Sequence, residues 1–103
     1  MTVDSVEKRT NPRAKLPRML RVRPSDAYEN DFEEIATSVN VSKRGIYFYT
    51  ELQNYRVALR LFVTYPFTSL NDLMKTEWLG EVVRVDQLPG NKRGIAIRLH
   101  NRI

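Results

Sequence analysis

At 103 residues with 42% apolar side chains, the chain is one domain's worth and can fill a single hydrophobic core. No apolar run approaches the roughly 20 residues that cross a bilayer, the start Met1 to Ser5 is too polar for a secretory signal, and the absence of cysteine excludes disulfides and thiolate metal sites and suits a cytoplasmic protein. The formal charge of +5 sits in the first quarter: residues 1–23 hold seven basic side chains against two acidic, and the rest of the chain holds ten of each.

In chain order, residues 1–15 are polar and basic, are interrupted by Pro12, and show no period of 2 or 3.6, so they read as an extended arm ahead of a domain over 16–103. Such an arm attracts an anionic partner. Leu20 and Val22 alternate with Arg21 and Arg23 as a half-buried first strand, and Pro24-Ser25-Asp26 marks a turn. Ile35, Thr37, Val39 and Val41 alternate with Ala36, Ser38, Asn40 and Ser42, which predicts a second strand whose apolar face carries the odd-numbered residues. Lys43-Arg44-Gly45 breaks it, with Gly45 suited to a tight bend. Ile46 to Tyr49 is a third strand, aromatic and β-branched. Val57, Leu59, Leu61 and Val63 predict a fourth. Leu79, Val83 and Val85 predict a fifth, broken by Pro89-Gly90-Asn91, a hairpin-loop signal. Ile95, Ile97 and Leu99 alternate with Ala96, Arg98 and His100 as a sixth. Between the fourth and fifth, Leu70, Leu73, Met74 and Trp78 lie at helical spacing, which predicts a loop with one helical turn that packs Trp78 over an edge. Six short strands with turns between them point to an all-β barrel or sandwich.

The residue types that carry catalysis are not gathered in this chain. His100 is the sole histidine and there is no cysteine, which argues against a transition-metal site or a nucleophile–base pair. Glu33 and Glu34 are adjacent, so in a strand they point to opposite faces. No glycine-rich phosphate loop appears. The chain therefore reads as a binding protein and not an enzyme.

Two clusters suit an anionic ligand. Arg9-Thr10-Asn11-Pro12-Arg13 places two arginines four apart on an arm that Pro12 stiffens. In extended geometry their Cα atoms lie about 13 Å apart, and each planar guanidinium can donate paired hydrogen bonds to phosphate or to the O6/N7 edge of guanine. Asn40 and Ser42, two apart near the end of the second strand, face one side ahead of Gly45. Asn40 offers a donor and an acceptor to a base edge, and Ser42 can reach a phosphate.

Taken together, Arg9/Arg13 followed some two dozen residues later by Asn40, Ser42 and Gly45 resembles the PilZ domain signature, RxxxR and then [D/N]xSxxG. The stretches Gly80 to Asp86 and Arg93 to Leu99 are similar to that family's closing strands, so the resemblance covers the chain from about residue 8 onward. It implies a six-stranded antiparallel PilZ-type β-barrel with an extended N-terminal arm, binding cyclic di-GMP with no further cofactor and no metal. It implies that Arg9 and Arg13 grip guanine edges and phosphates, Asn40 reads a guanine's Watson–Crick edge, Ser42 contacts the ligand near its phosphates, and Gly45 allows close backbone approach. Lys8 and Arg44 add charge that no family position assigns. A second basic pair, Arg13 and Arg18, lies five apart and leaves a shifted register open; Arg9/Arg13 keeps the family spacing.

The function so implied is that of a receptor or adaptor that orders its arm on binding the second messenger and signals in trans to a partner protein. Two other classes fit the composition. One is a nucleotide-independent protein-interaction module that uses an aromatic edge of Tyr47, Tyr49 and Tyr55. The other is a barrel that holds single-stranded nucleic acid through its basic arm and tyrosines.

Overall fold

A computed structural model describes residues 17–26, 31–68 and 76–103. Six strands form: β1 (Met19–Pro24), β2 (Glu34–Ser42), β3 (Gly45–Thr50), β4 (Arg60–Thr64), β5 (Glu77–Gln87) and β6 (Arg93–Arg102). They close into a barrel in the order β1-β2-β3-β6-β5-β4, with β4 pairing back to β1. Every neighbouring pair is antiparallel. Closure leaves no free sheet edge along the paired strands. Among the described residues there is no helix, and so none long and apolar enough to cross a membrane.

The interior is filled by residues of alternating parity, as a pleated strand requires. Leu20 and Val22 of β1, Phe48 of β3, Leu61 and Val63 of β4, and Ile95 of β6 are completely buried. One end of the barrel is stoppered by Tyr55, whose ring meets Phe48 and Phe32 edge-on at centroid distances of 5.6 and 5.0 Å. Its hydroxyl donates to Glu34 Oε1 at 2.7 Å, and its carbonyl accepts from Arg93 Nη2 at 2.9 Å. Burial and that bond to a carboxylate push the Tyr55 hydroxyl pKa upward, because both disfavour the phenolate.

Among the described residues the ladders shift register at three places: at His100 of β6, between Leu79 and Gly80 of its partner, and at β-bulges in β2 and β5 that decide which valines face inward. In β2 the register shifts between Ser38, opposite Phe48, and Asn40, opposite Tyr47, so Val39 is the extra residue. Ahead of it Ala36 and Ser38 point inward; beyond it Val41 packs on the core. The expected apolar face of odd-numbered residues is therefore corrected, since Ile35 and Val39 are each 47% exposed. In β5 the register shifts between Val82 and Arg84, so Val83 is expelled in the same way. Val82 is fully buried, Val85 packs on the core, and Val83 faces outward.

Other expectations are also revised. β4 starts at Arg60 and not at Val57, because Ala58 adopts a positive φ of 79° that ends extended geometry, leaving Val57 exposed. Pro24 closes β1 instead of opening the turn. Trp78 is not helical: it lies in β5 opposite Val63 and is half-buried against the core. Leu70, Leu73 and Met74 lie outside the described residues.

Candidate functional site

The bulge at Val39 decides what β2 shows to solvent. Without it, Asn40 and Ser42 would share the parity of Ala36 and Ser38 and point into the core. With it, both are exposed on the outer wall while Val41 turns inward. They border a cleft of about 590 Å³ that runs across β2, β3, β6 and β5, within the range of small-ligand sites.

The strand registers lay out its walls. One row of outward residues runs Asn40, Tyr47, Ala96, Arg84 across the four strands. The next runs Ser42, Gly45, Arg98, Glu81. Small residues, Gly45 and Ala96, therefore form the floor, and polar residues stand at the sides. Gly45 is needed for closeness and not for a left-handed bend: its φ is not positive, and a Cβ there would stand 3.3 Å from both the Ile97 carbonyl and Ser42 Oγ. Lys43 and Arg44 form the two-residue connection from β2 to β3. Arg44 lines the cleft, and its carbonyl accepts from the Leu99 amide at 2.8 Å.

Tyr47 marks one limit of the trough. Its ring lies across β6 at Gly94, where a Cβ would sit 1.8 Å from the hydroxyl. The hydroxyl donates to Asp86 Oδ2 at 2.8 Å, and Arg84 Nε donates to Asp86 Oδ1 at 3.2 Å with its guanidinium carbon 5.5 Å from the Tyr47 ring centre. The hydroxyl's donated bond, and then Arg84, hold the Asp86 carboxyl below its usual range. The same bond raises the Tyr47 pKa. Arg84 is thus a fixed cation.

The remaining charge is distributed differently from its order in the sequence. Arg21 pairs with Glu33, which lowers the Glu33 pKa, and Arg23 pairs with Glu77 at 3.0 Å while its guanidinium lies 4.7 Å from the centre of the Phe62 ring. Two cations of the basic first quarter are thus matched by acids from the neutral remainder. Among the described residues, no ion pair reaches Arg44 or Arg98, both of which line the cleft. This wall therefore carries two guanidinium groups with no carboxylate partner among the described residues.

Of the residues expected at the site, Asn40, Ser42, Arg44 and Gly45 come together around one cleft. Lys8, Arg9 and Arg13 lie outside the described residues. The chain enters the barrel at Ser38, which with Pro17 lines a second, larger cleft over β2 and β3. Arg18 exchanges two bonds with Ser38, its carbonyl accepting from the Ser38 amide at 2.8 Å and its amide donating to Ser38 Oγ at 3.1 Å. Ser38 is two residues from Asn40, and the five residues from Arg13 to Arg18 can span at most about 17 Å. Arg18 itself is exposed, with its backbone held at this entry point.

Sequence reasoning did not single out Tyr47, Arg84, Ala96 and Arg98 as cleft residues. Alternation in β6 marks Ala96 and Arg98 as outward-facing, but nothing local tells that β6 lies beside β3. The aromatic edge expected of Tyr47, Tyr49 and Tyr55 does not form. Tyr55 is 2% exposed inside the barrel mouth, while Tyr47 and Tyr49 stand on the outer wall with ring centres 5.8 Å apart.

No protein-family model, curated protein or solved structure matches the chain.

Proposed function

We propose that this chain is a PilZ-type receptor for cyclic di-GMP that binds without catalysis. The observation that carries this reading is the bulge at Val39, which turns Asn40 and Ser42 outward onto a cleft floored by Gly45 and Ala96 and bordered by three arginines. A dianion with two guanines matches that chemistry: amide to base edge, hydroxyl and guanidinium to phosphate, and a shallow floor for a flat ring. Entry of the chain at Ser38, two residues along β2 from Asn40, supports a role for Arg9 and Arg13 in closing over the ligand from the arm. Ligand binding orders the arm, and arm plus barrel present a new surface to a partner protein. Each charge-assisted bond contributes about 1.5–3 kcal/mol, against about 1–2 kcal/mol for each arm residue ordered, so affinity is set in the micromolar range.

Calorimetry with cyclic di-GMP tests the reading. Wild type gives saturable heat, and Arg13→Ala gives none while its thermal melt is unchanged. An Arg13→Ala protein with wild-type affinity overturns the arm register, and Arg18→Ala then tests the shifted one. A second reading, a nucleotide-independent interaction module, draws on the exposed apolar strip of Ile35, Val39 and Tyr49. It requires no heat with the nucleotide from wild type.

A further inference from the structure

Arg98 has a carboxylate directly opposite it and does not use it. The β5–β6 register sets Glu81 across from Arg98, where an oppositely charged pair on one face ordinarily forms. Instead Glu81 Oε1 bonds to His100 Nε2 at 3.1 Å, on the diagonal, two residues further along β6. Gly80, next to Glu81, follows a second register shift, between Leu79 and Gly80, at the point where the ladder reaches this diagonal. Arg98 is exposed, lines the cleft beside Gly45 and Ser42, and has no ion pair among the described residues. A guanidinium next to an available carboxylate, with that carboxylate held elsewhere, is left to an external anion.

We propose that Arg98 is a further ligand anchor, taking a phosphodiester of the bound nucleotide, and that His100 is a positioning residue that keeps Arg98 available by occupying Glu81. The proposal rests on the cyclic di-GMP reading and adds two residues outside its motif. Arg98 stands in the row of Ser42, so both donors converge on one phosphate position above Gly45. Arg44, on the connection beside that row, sets a second positive charge at the same end. His100 itself does not line the cleft, and its effect runs through Glu81 alone.

Calorimetry on full-length variants with cyclic di-GMP decides this, with thermal melts to confirm folding. Arg98→Ala weakens binding tenfold or more, and Arg98→Lys restores part of it, since lysine keeps the charge but not the fork. His100→Ala frees Glu81 to turn onto Arg98 and weakens binding about threefold to tenfold. Adding Glu81→Gln to His100→Ala returns affinity to wild type, a rescue that a merely structural role for His100 does not produce. Wild-type affinity in Arg98→Ala overturns the anchor while leaving the receptor reading in place. Weak binding in Arg98→Ala with no loss in His100→Ala, or with no rescue by Glu81→Gln, overturns the role of His100. No heat from wild type removes the receptor reading and this inference with it.

Discussion

Among the described residues two outer clefts can be compared, and the larger is the less informative. One, of about 800 Å³, lies over β2 and the end of β3 and is lined by Ile35, Thr37, Val39 and Tyr49, with Glu51 and Lys92 beside them. The other, of about 590 Å³, holds Asn40, Ser42 and the arginines. The bulge lies between them: Val39 keeps the outward face of Ile35 and Thr37 on one side, and past the register shift Asn40 and Ser42 turn outward on the other. In the larger cleft the cation is already occupied, with Lys92 Nζ 5.2 Å from the Tyr49 ring centre, and Glu51 adds negative charge. In the smaller one Arg44 and Arg98 have no ion pair among the described residues. Volume measures where a ligand fits; unmatched hydrogen-bonding and charge capacity says which ligand is favoured.

The contrast between the clefts is most exposed at the bulge. Deleting Val39 removes the extra residue, so simple alternation keeps Ala36 and Ser38 inward, Asn40 and Ser42 outward and Val41 on the core, and the fold should lose only about 1 kcal/mol. Urea denaturation measures it, and a deletion protein that unfolds outright would show that Val39 is not the inserted residue. Replacing Val39 by Thr keeps the extra residue and should change stability by only about 0.5 kcal/mol.

Filling the floor separates the clefts. Ala96→Leu places a branched side chain between Tyr47 and Arg84 and should lower cyclic di-GMP affinity at least tenfold. Ile35→Lys, in the larger cleft, should leave that affinity within about twofold. If the lysine variant loses binding instead, the ligand occupies the larger cleft and Asn40, Ser42 and the arginines do not hold it. A smaller effect is expected from Gly94→Ala, which forces the Tyr47 ring off β6 and its hydroxyl away from Asp86, at about 1–3 kcal/mol of stability.

The smallest expected effect is a pH dependence. The Asp86 carboxyl titrates below its ordinary 3.8 in the fold, so its contribution to stability is present above that value and fades as pH falls through the lower folded value. Asp86→Asn should flatten the acid limb of the thermal stability profile and leave the neutral region nearly unchanged. An unaltered acid limb would mean that Tyr47 and Arg84 do not hold Asp86 in solution.

Much of this architecture is legible in the order of residues alone. Alternation locates β1 and β3 nearly to the residue because they carry no bulge and their buried sets follow a strict period of 2, and it holds from Ile95 to Leu99 of β6, ahead of the register shift at His100. It misassigns the inner face of β2 and does not tell which valines of β5 are buried, because one inserted residue reverses parity and an exposed valine gives no local sign of being outside. The grouping of Asn40, Ser42 and Gly45 is legible as a motif. Tyr47, Arg84, Ala96 and Arg98 are not, because they enter the cleft from strands up to 58 residues away along the chain.

Strand content, turns and the composition of the core thus follow from short-range period and residue type, with no knowledge of which strands are neighbours. The two-part signature on which the proposed ligand rests is likewise written in the chain. Which residues face outward, and which charges are free, depends on the assembled barrel. Glu33 and Glu77 are matched by Arg21 and Arg23, while Arg44 and Arg98, with no ion pair among the described residues, stand on the β2–β3–β6–β5 wall. Charge balance follows proximity in space, which closure of the barrel alone establishes.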